Sequence, residues 1–349
     1  MDKKIFYFGA KYKNVVMALS IASAWTWAPA LITSTDMAAN KGILGVASFI
    51  IPNILALFFF GWLMQHVNKD ILTASGLVNN TILKNIYECS FIFVQICCIA
   101  INITAGANIL KLTLGLNYYT TSLILLIVTF AYTLIGGLHY SIITDMWQQI
   151  ILIIITIYLI IVALFATKTQ IFKIGTFSIF DFMWYTLILF SGPIMDNQHW
   201  QRSYNTQRDG TPYRYGGFFF GIPLICLSLL GAISGENGNY VSIKMFSGFN
   251  LIVLVIGIMM GLMSTLSASY SAITTLYYKN SNTLKTGRIK MLLILIAAIA
   301  VVIFNFDVTA LWKTYGTIRI FFAGGVLWMV FRHLKCNITH LSIKKCLKK

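Results

Sequence analysis

The stretch SAWTWAPALITST, residues 23–35, places a proline inside a run that is otherwise apolar enough to cross a lipid bilayer. A second stretch, LFSGPIMDNQ at residues 189–198, does the same later in the chain. Proline removes a helical N–H and clashes with the preceding turn, so carbonyls near it lose their partners. In lipid such carbonyls are costly unless they line a cavity or hold a ligand. Both stretches therefore predict a broken membrane helix whose backbone is available to a ligand.

The composition of the chain is that of a membrane protein. Its 349 residues are 58% hydrophobic and 10% charged, with a mean hydropathy of +0.78, whereas soluble domains carry about a quarter charged residues. The net charge of +16 is spread over short loops between apolar runs instead of being gathered on one soluble face. This distribution argues against nucleic acid as a partner and favours the lipid bilayer.

Ten transmembrane helices are predicted, which makes the chain an all-α polytopic membrane protein. Their bounds are Asn14–Ser34, Gly42–His66, Lys84–Leu112, Tyr118–Leu138, Ile142–Thr167, Ser178–Gln198, Arg214–Gly235, Asn250–Lys279, Ile289–Phe306 and Val308–His333. Residues 14–167 and 178–333 hold five spans each. Lys and Arg concentrate on the side of the N-terminus, so residues 1–13 and the basic tail 334–349 are both predicted to be cytoplasmic. A plasma (inner) membrane is the expected location.

The prolines indicate an internal repeat. Pro29 and Pro193 lie at matching depth in the first and sixth spans, and Pro52 and Pro223 at matching depth in the second and seventh. The two halves are therefore predicted to form a five-plus-five inverted repeat with broken first and sixth helices, because an odd number of spans per half reverses the orientation. Paired interrupted spans in two such halves are typical of a secondary transporter's binding site. Two simple proline kinks are the alternative.

Four motifs resemble the sodium:solute symporter family. YTLIGGLHYSIITDMWQQIILI, residues 132–153, is similar to the family signature, in which a double glycine ends one span and Thr-Asp followed by Gln opens the next. DNQHWQR, residues 196–202, resembles the motif after the broken sixth core helix. GLMSTLSASYSAITTLYY, residues 261–278, is similar to the eighth core helix. SAWTWA, residues 23–28, looks most like the urea-transporting branch.

This resemblance covers nearly the whole chain and implies a LeuT-type fold with secondary active transport driven by sodium, without a cofactor. The chain departs from the family in two respects. Family members usually carry an extra span before the core and one or more after it, so the chain is interpreted as a minimal transporter or as the product of a truncated gene. The stretch TIRIFFAGGVLW, residues 317–328, also lacks the proline common in the tenth core helix.

The resemblance implies a set of sodium-binding residues. Ser264 and Thr265 match the two hydroxyl ligands of the family's sodium site, and Gly261 offers a carbonyl one turn earlier. The carbonyls of Leu19 and Ala22 in the first span are expected to complete the site. Neutral oxygens of this kind surround a small hard cation without adding a buried negative charge.

Helix packing is the alternative for the serine-rich stretch. A serine in a membrane helix commonly bonds a carbonyl of its own helix, and small residues allow helices to approach closely. This second interpretation is the expected one for Ser267, Ser269 and Ser271.

Two charged residues in or at the ends of spans stand out. Asp145 opens the predicted fifth span, where the family resemblance implies that it helps sodium to leave inward; a helix N-terminal charge with Thr144 as a possible cap is the alternative. Arg319 lies well inside the last span, where a charge is expensive. Lining the inner pathway, pairing with Asp145 and forming a structural bridge are the interpretations left open for Arg319.

The predicted solute site is the exposed backbone at the two breaks. Its residues are Trp25, Thr26 and Trp27 at the first break and Ser191 and Gly192 at the second. Aromatic walls and a hydroxyl suit a small polar organic solute, with urea as one candidate. Because neither break was expected to hold an acidic or basic residue, a strongly charged solute is disfavoured.

The leading interpretation is a sodium-coupled symporter that works by alternating access. The alternative from a different class is a non-transporting solute-binding sensor or a truncated remnant of a symporter. An enzyme is not expected, because no Ser/His pair or pair of carboxylates converges within the spans.

Overall fold

The computed structural model describes residues 1–166 and 172–346, which form twelve α-helices. In chain order they are α1 Lys3–Phe8, α2 Asn14–Trp25, α3 Ala28–Met64, α4 Thr81–Leu114, α5 Tyr118–Ala166, α6 Ile179–Met195, α7 Asn197–Asn205, α8 Thr211–Ile233, α9 Val241–Met245, α10 Gly248–Ala272, α11 Leu284–Ile303 and α12 Val308–Cys346. The last predicted residue of the first repeat, 167, and the end of the predicted tail, 347–349, lie outside the described residues.

Seven helices of the described chain are long and apolar enough to cross a membrane, so the protein is an integral membrane protein. They are α3, α4, α5, α8, α10, α11 and α12, and the apolar helices α2 and α6 are shorter. The ten-span count and the inverted repeat stay predictions. The predicted tail from residue 334 stays a prediction, and α12 continues into it as far as Cys346.

Two of these helices bend at a glycine. Gly42 in α3 has φ 76° and Gly137 in α5 has φ 54°, a left-handed backbone that glycine adopts without steric cost. Both kinks lie at or next to a boundary predicted between two spans. The backbone therefore turns there while the helical hydrogen bonding continues on either side.

The packing places polar residues inside and large apolar residues outside. α3 packs most extensively on α8, and α10 on α5. Outward-facing side chains such as Trp147, Ile154 and Phe180 are more than half exposed, while Asp145, Gln198 and Arg202 are fully buried. A polar residue in lipid must find a partner inside the protein, so the interior between α2, α5, α7 and α10 is where chemistry is expected.

Candidate functional site

The first helix break lies where it was predicted. α2 ends at Trp25 and α3 begins at Ala28, and between them Thr26 has φ −87° and ψ 92°, an extended backbone. Pro29 stands in the first turn of α3, where its missing N–H costs no helical bond. The amide of Ala28 donates instead to Oδ1 of Asn102 on α4 at 3.1 Å. The break is thus held in place by a neighbouring helix.

The second break lies later than predicted. The chain leaves helical geometry at Asp196, with φ −104° and ψ 108°, while Ser191 and Gly192 remain inside α6. The Ser191 hydroxyl donates to the carbonyl of Ile188 at 2.7 Å. The expectation of exposed backbone at Ser191 and Gly192 was therefore wrong, because α6 tolerates Pro193 in its last turn. The Asp196 carboxylate caps α7 by accepting from the Gln198 amide.

Thr265 lies against the first break. Its Oγ1 is 2.9 Å from the carbonyl oxygen of Thr26 and 3.1 Å from that of Gly261. The Thr26 hydroxyl in turn donates to the carbonyl of Ala22 at 2.8 Å. Three of the residues predicted for sodium, Thr265, Gly261 and Ala22, are therefore joined through Thr26, which had been predicted for the solute.

Ser264 belongs to a second group around Asp145. Its hydroxyl donates to Oδ1 of Asp145 at 2.9 Å, and Ser267 donates to the same oxygen at 3.0 Å. The other carboxylate oxygen, Oδ2, forms an ion pair with Nη2 of Arg202 at 2.5 Å and accepts from Ser20 at 3.0 Å. This carboxylate is thus fully satisfied by a cation and neutral hydroxyls.

Asp145 lies further along its helix than predicted. Its ion-pair partner is Arg202, which rules out pairing with Arg319, one of the interpretations left open. α5 consists of two helical segments that meet at the kink at Gly137, and Asp145 lies about two turns after that kink and not in the first turn. Thr144 is not a cap, because its hydroxyl bonds the carbonyl of Tyr140 one turn earlier.

Leu19 is the remaining predicted sodium ligand, and Ser267, Ser269 and Ser271 are the residues expected to serve helix packing. Leu19 lies in the regular part of α2, before the break, and its role as a ligand stays a prediction. Ser269 and Ser271 bond carbonyls of their own helix, those of Thr265 and Ala268, as expected for helix packing. Ser267 departs from that expectation by also contacting Asp145.

A small cavity adjoins the first break. The space in it that water can occupy is about 30 Å³, so a solute larger than water requires the walls to move apart. Five of its eleven lining residues are aromatic and include both predicted indoles; the lining residues are Trp25, Trp27, Pro29, Ala30, Thr33, Phe49, Asn53, Leu189, Trp312, Tyr315 and Arg319. Ser191 and Gly192 do not line it, but Gly192 lies directly behind Trp25.

The expectation of a site without charged residues was also wrong. Arg319 lines the cavity and is 2% exposed, and Asp196 forms the second break. The sequence did show Arg319 as a charge inside a span, but its contact with the first break depends on how α12 packs against α6.

A second space, the vestibule, shares wall residues with the cavity. Pro29 and Thr33 line both spaces, and the vestibule reaches Asp36, Asp307 and Asn305 at the end of α11. The opposite end of α11 is closed by α1, whose buried Phe6 and Tyr7 pack against Gly287. The cavity is thus joined to one face of the protein and covered at the other.

Sequence reasoning missed Arg202 and Ser20. Arg202 was assigned to a cytoplasmic loop because it follows a predicted span, yet it lies on α7 and is fully buried. The signal that marks α7 was present in the sequence: Asp196 is a preferred N-cap residue at the start of DNQHWQR. Its contact with a residue on α5 could not be predicted from local pattern.

Comparisons with known proteins agree with the motifs. The model described as sodium:solute symporter family matches residues 6–173. A comparison with curated protein sequences returned no match.

Two solved structures resemble the fold. One is a substrate-bound, outward-open Na⁺-coupled sialic acid symporter, with a TM-score of 0.69 and 13% identity over 86% of this chain and 76% of that one. The other is the Eremococcus coleocola manganese transporter, with a TM-score of 0.58 and 13% identity over 92% of this chain and 78% of that one.

At 13% identity, these two structures are evidence for the fold alone. That fold is LeuT-like, as the motifs implied. The evidence for an activity comes from the family match, which supports sodium-coupled transport. The family model spans residues 6–173, just under half of the chain, and this match together with the likeness of fold indicates that the protein is a transporter and not an enzyme.

Proposed function

We propose that the protein is a sodium-coupled symporter of a small organic solute, working by alternating access. The observation that carries this proposal is the position of Thr26. Its carbonyl lies 2.9 Å from the Thr265 hydroxyl, while Trp25 and Trp27 on either side of it line the cavity. One helix break therefore serves both an ion site and a solute site.

The ion site is made of neutral oxygens. Thr265 Oγ1 and the carbonyls of Thr26 and Gly261 lie within hydrogen-bond distance of the same hydroxyl. A sodium ion would be coordinated by lone pairs of these three oxygens, and the Thr265 hydroxyl would keep its proton and turn it away from the ion. Ser264, Leu19 and Ala22 are proposed to complete the coordination, which for Ser264 requires that it turn away from Asp145.

Asp145 is proposed to receive the ion on its way inward. It bonds both Ser264 and Ser267 on α10, so an ion leaving Thr265 would next meet this carboxylate. The ion pair with Arg202 offsets the charge of Asp145, which keeps the ion from being held too tightly. Each sodium that crosses with the membrane potential gains about 2.3 kcal/mol per 100 mV.

The two faces of the protein fit an outward-facing state. With both termini in the cytoplasm of a plasma membrane, as the charge distribution predicts, the vestibule at Asp36 and Asp307 faces outward. The buried α1 then closes the inner side. Inward release requires α1 and α7 to separate, because the side chain of Gln201 on α7 donates to the carbonyl of Tyr7 at 2.9 Å.

Sodium-driven uptake into proteoliposomes is the test. Radiolabelled small solutes are screened with an inward sodium gradient and with potassium in its place, and we expect at least one to accumulate only with sodium. The double variant Ser264→Ala/Thr265→Ala should abolish that accumulation. Thr156→Ala is the matched control, since the Thr156 hydroxyl is buried on α5 and bonds carbonyls of its own helix and Cys226 on α8, none of which belongs to the proposed ion site. Uptake that ignores sodium would overturn the proposal, and solute binding without any transport would identify a sensor.

A further inference from the structure

We propose that the transported solute is a monocarboxylate whose carboxylate is bound by Arg319 at the first helix break. The inference rests on the proposed function, because it names the solute class for the same cavity. It is carried by three residues that line this cavity and that each have a buried N–H donor without a hydrogen-bond partner: Nε of Arg319, Nε1 of Trp25 and Nε1 of Trp27.

Arg319 is a buried cation held only by neutral groups. Its Nη1 donates to the Tyr315 hydroxyl at 3.0 Å and its Nη2 to the carbonyl of Ile188 at 2.9 Å. Its guanidinium carbon lies 4.1 Å from the centre of the Tyr315 ring. In the described part of the chain, no carboxylate oxygen lies within the 4.0 Å of an ion pair with Arg319. A charge in the membrane interior is costly without a counter-ion, so an anion is expected beside it.

The three buried carboxylates of the described residues are engaged elsewhere. Glu88 accepts from the Ser75 hydroxyl and the Tyr277 amide. Asp145 is paired with Arg202. Asp196 accepts from the side-chain amides of Gln95 at 2.7 Å and Gln198 at 2.6 Å. Asp196 and Arg319 attract each other through space, but this carboxylate is not among the groups that line the cavity.

All three orphan groups are donors, and only an acceptor can satisfy them. Guanidinium and indole N–H groups have no lone pair to offer, whereas a carboxylate accepts from about four directions. Trp25 and Arg319 are also close neighbours: a Cβ built on Gly192 would meet the benzo edge of the Trp25 ring and lie 3.0 Å from Nη1 of Arg319. The Trp27 ring lies 4.9 Å, between centroids, from that of Tyr315, whose hydroxyl accepts from Arg319.

The rest of the cavity favours a carboxylate without an ammonium group. Phe49, Leu189 and Trp312 provide an apolar wall, and Asn53 and Thr33 provide neutral polar atoms. Since no carboxylate lines the cavity, an amino acid would leave its ammonium group without an ionic partner. A small monocarboxylate with an apolar or weakly polar body matches both parts of the site.

The test compares acids with their amides on the purified protein. Benzoate and propionate are titrated in sodium gluconate and followed by tryptophan fluorescence and thermal stability, and benzamide and propionamide are titrated in parallel. We expect at least one acid to bind and its amide to bind about tenfold to a hundredfold more weakly, the range for a charge-assisted hydrogen bond.

Arg319→Gln should reduce acid binding by a similar factor, and Arg319→Lys should retain part of it. Arg208→Gln is the matched control: Arg208 is also buried and lies over a tryptophan, Trp200 at 5.4 Å, but it is outside the cavity. Stabilisation by sodium alone, measured before any acid is added, reports on the ion site separately. It should survive in Arg319→Gln and show that this variant is folded.

Three results would overturn the carboxylate proposal. They are equal binding of acids and amides, acid binding that Arg319→Gln leaves unchanged, and a response to chloride with none to either acid. A failure of sodium to stabilise the protein or to drive uptake would instead count against the symporter proposal.

Discussion

Two buried arginines of the core have opposite surroundings. Arg202 on α7 has an ion pair with Asp145 and donates to the hydroxyls of Ser20 and Ser141. Arg319 on α12 has a tyrosine hydroxyl, a carbonyl and one unpartnered N–H. Both are expensive to bury. The difference indicates that the first charge is compensated within the protein, whereas the second is left for a ligand.

Breaking the compensated pair should give the largest effect. Arg202→Met leaves the Asp145 carboxylate buried without its cation, and removing one partner of such a pair costs about 3–5 kcal/mol. Thermal unfolding of the purified protein should show a large drop in stability, or folded protein should be lost from detergent extracts. The double variant Asp145→Asn/Arg202→Met should recover much of this loss. If the double variant is as unstable as the sum of the two single variants, the pair is not a unit.

The uncompensated charge should behave in the opposite way. Arg319→Met removes a buried charge that has no ionic partner, and with it a desolvation penalty that no ion pair offsets. The ligand-free variant is therefore expected to unfold at the same or a higher temperature than the unchanged protein. A destabilisation as large as that of Arg202→Met would show that Arg319 is a structural bridge.

The two hydroxyls of the sodium motif, on Thr265 and Ser264, should also have different effects when they are removed. Thr265→Ala removes the group that contacts the first break, so stabilisation by sodium should fall by at least about tenfold in affinity, an effect of 1.4 kcal/mol. Ser264→Ala should have a smaller effect on ligand-free stability than Arg202→Met, because Ser267 still donates to Asp145. Titrations with NaCl and with KCl at constant ionic strength measure both the stabilisation by sodium and the ligand-free stability of each variant. Equal loss in Thr265→Ala and the control Thr156→Ala would contradict the assignment.

The smallest change tests the space between Trp25 and Arg319. A methyl group at Gly192 would press on both, and overpacking of this kind costs about 1–3 kcal/mol. Gly192→Ala should weaken solute binding and leave the response to sodium intact. Gly324→Ala is the control on α12, since a Cβ there meets no other atom within 4 Å.

The first helix break could be predicted from sequence, but the second could be predicted only roughly. Pro29 falls in a first helical turn, so the chain breaks just before it. Pro193 falls in the last turn of α6, and the helix continues to Met195. The break comes only at Asp196, which caps α7. A proline alone does not show whether the helix breaks before or after it, whereas the position of the capping residue does.

The fold was more predictable than the site. Helix bounds follow from apolar runs and glycines, which are local signals. The contacts of Asp145 with Arg202 and of Thr26 with Thr265 join residues that are distant in sequence, and no local pattern specifies them. Family motifs marked Ser264, Thr265 and Asp145 as important, but they left open which hydroxyl meets the carboxylate and which meets the break.

Thr26 has a thermodynamic consequence for the transport cycle. Its carbonyl contacts Thr265, and its two peptide bonds connect it to the indole-bearing residues of the solute cavity, Trp25 and Trp27. An ion that repositions this carbonyl therefore also repositions the cavity walls. Linkage requires that whatever factor sodium adds to the affinity for solute, solute adds to the affinity for sodium. Two extended residues, Thr26 and Trp27, in an otherwise helical membrane segment are thus enough to make the two affinities interdependent.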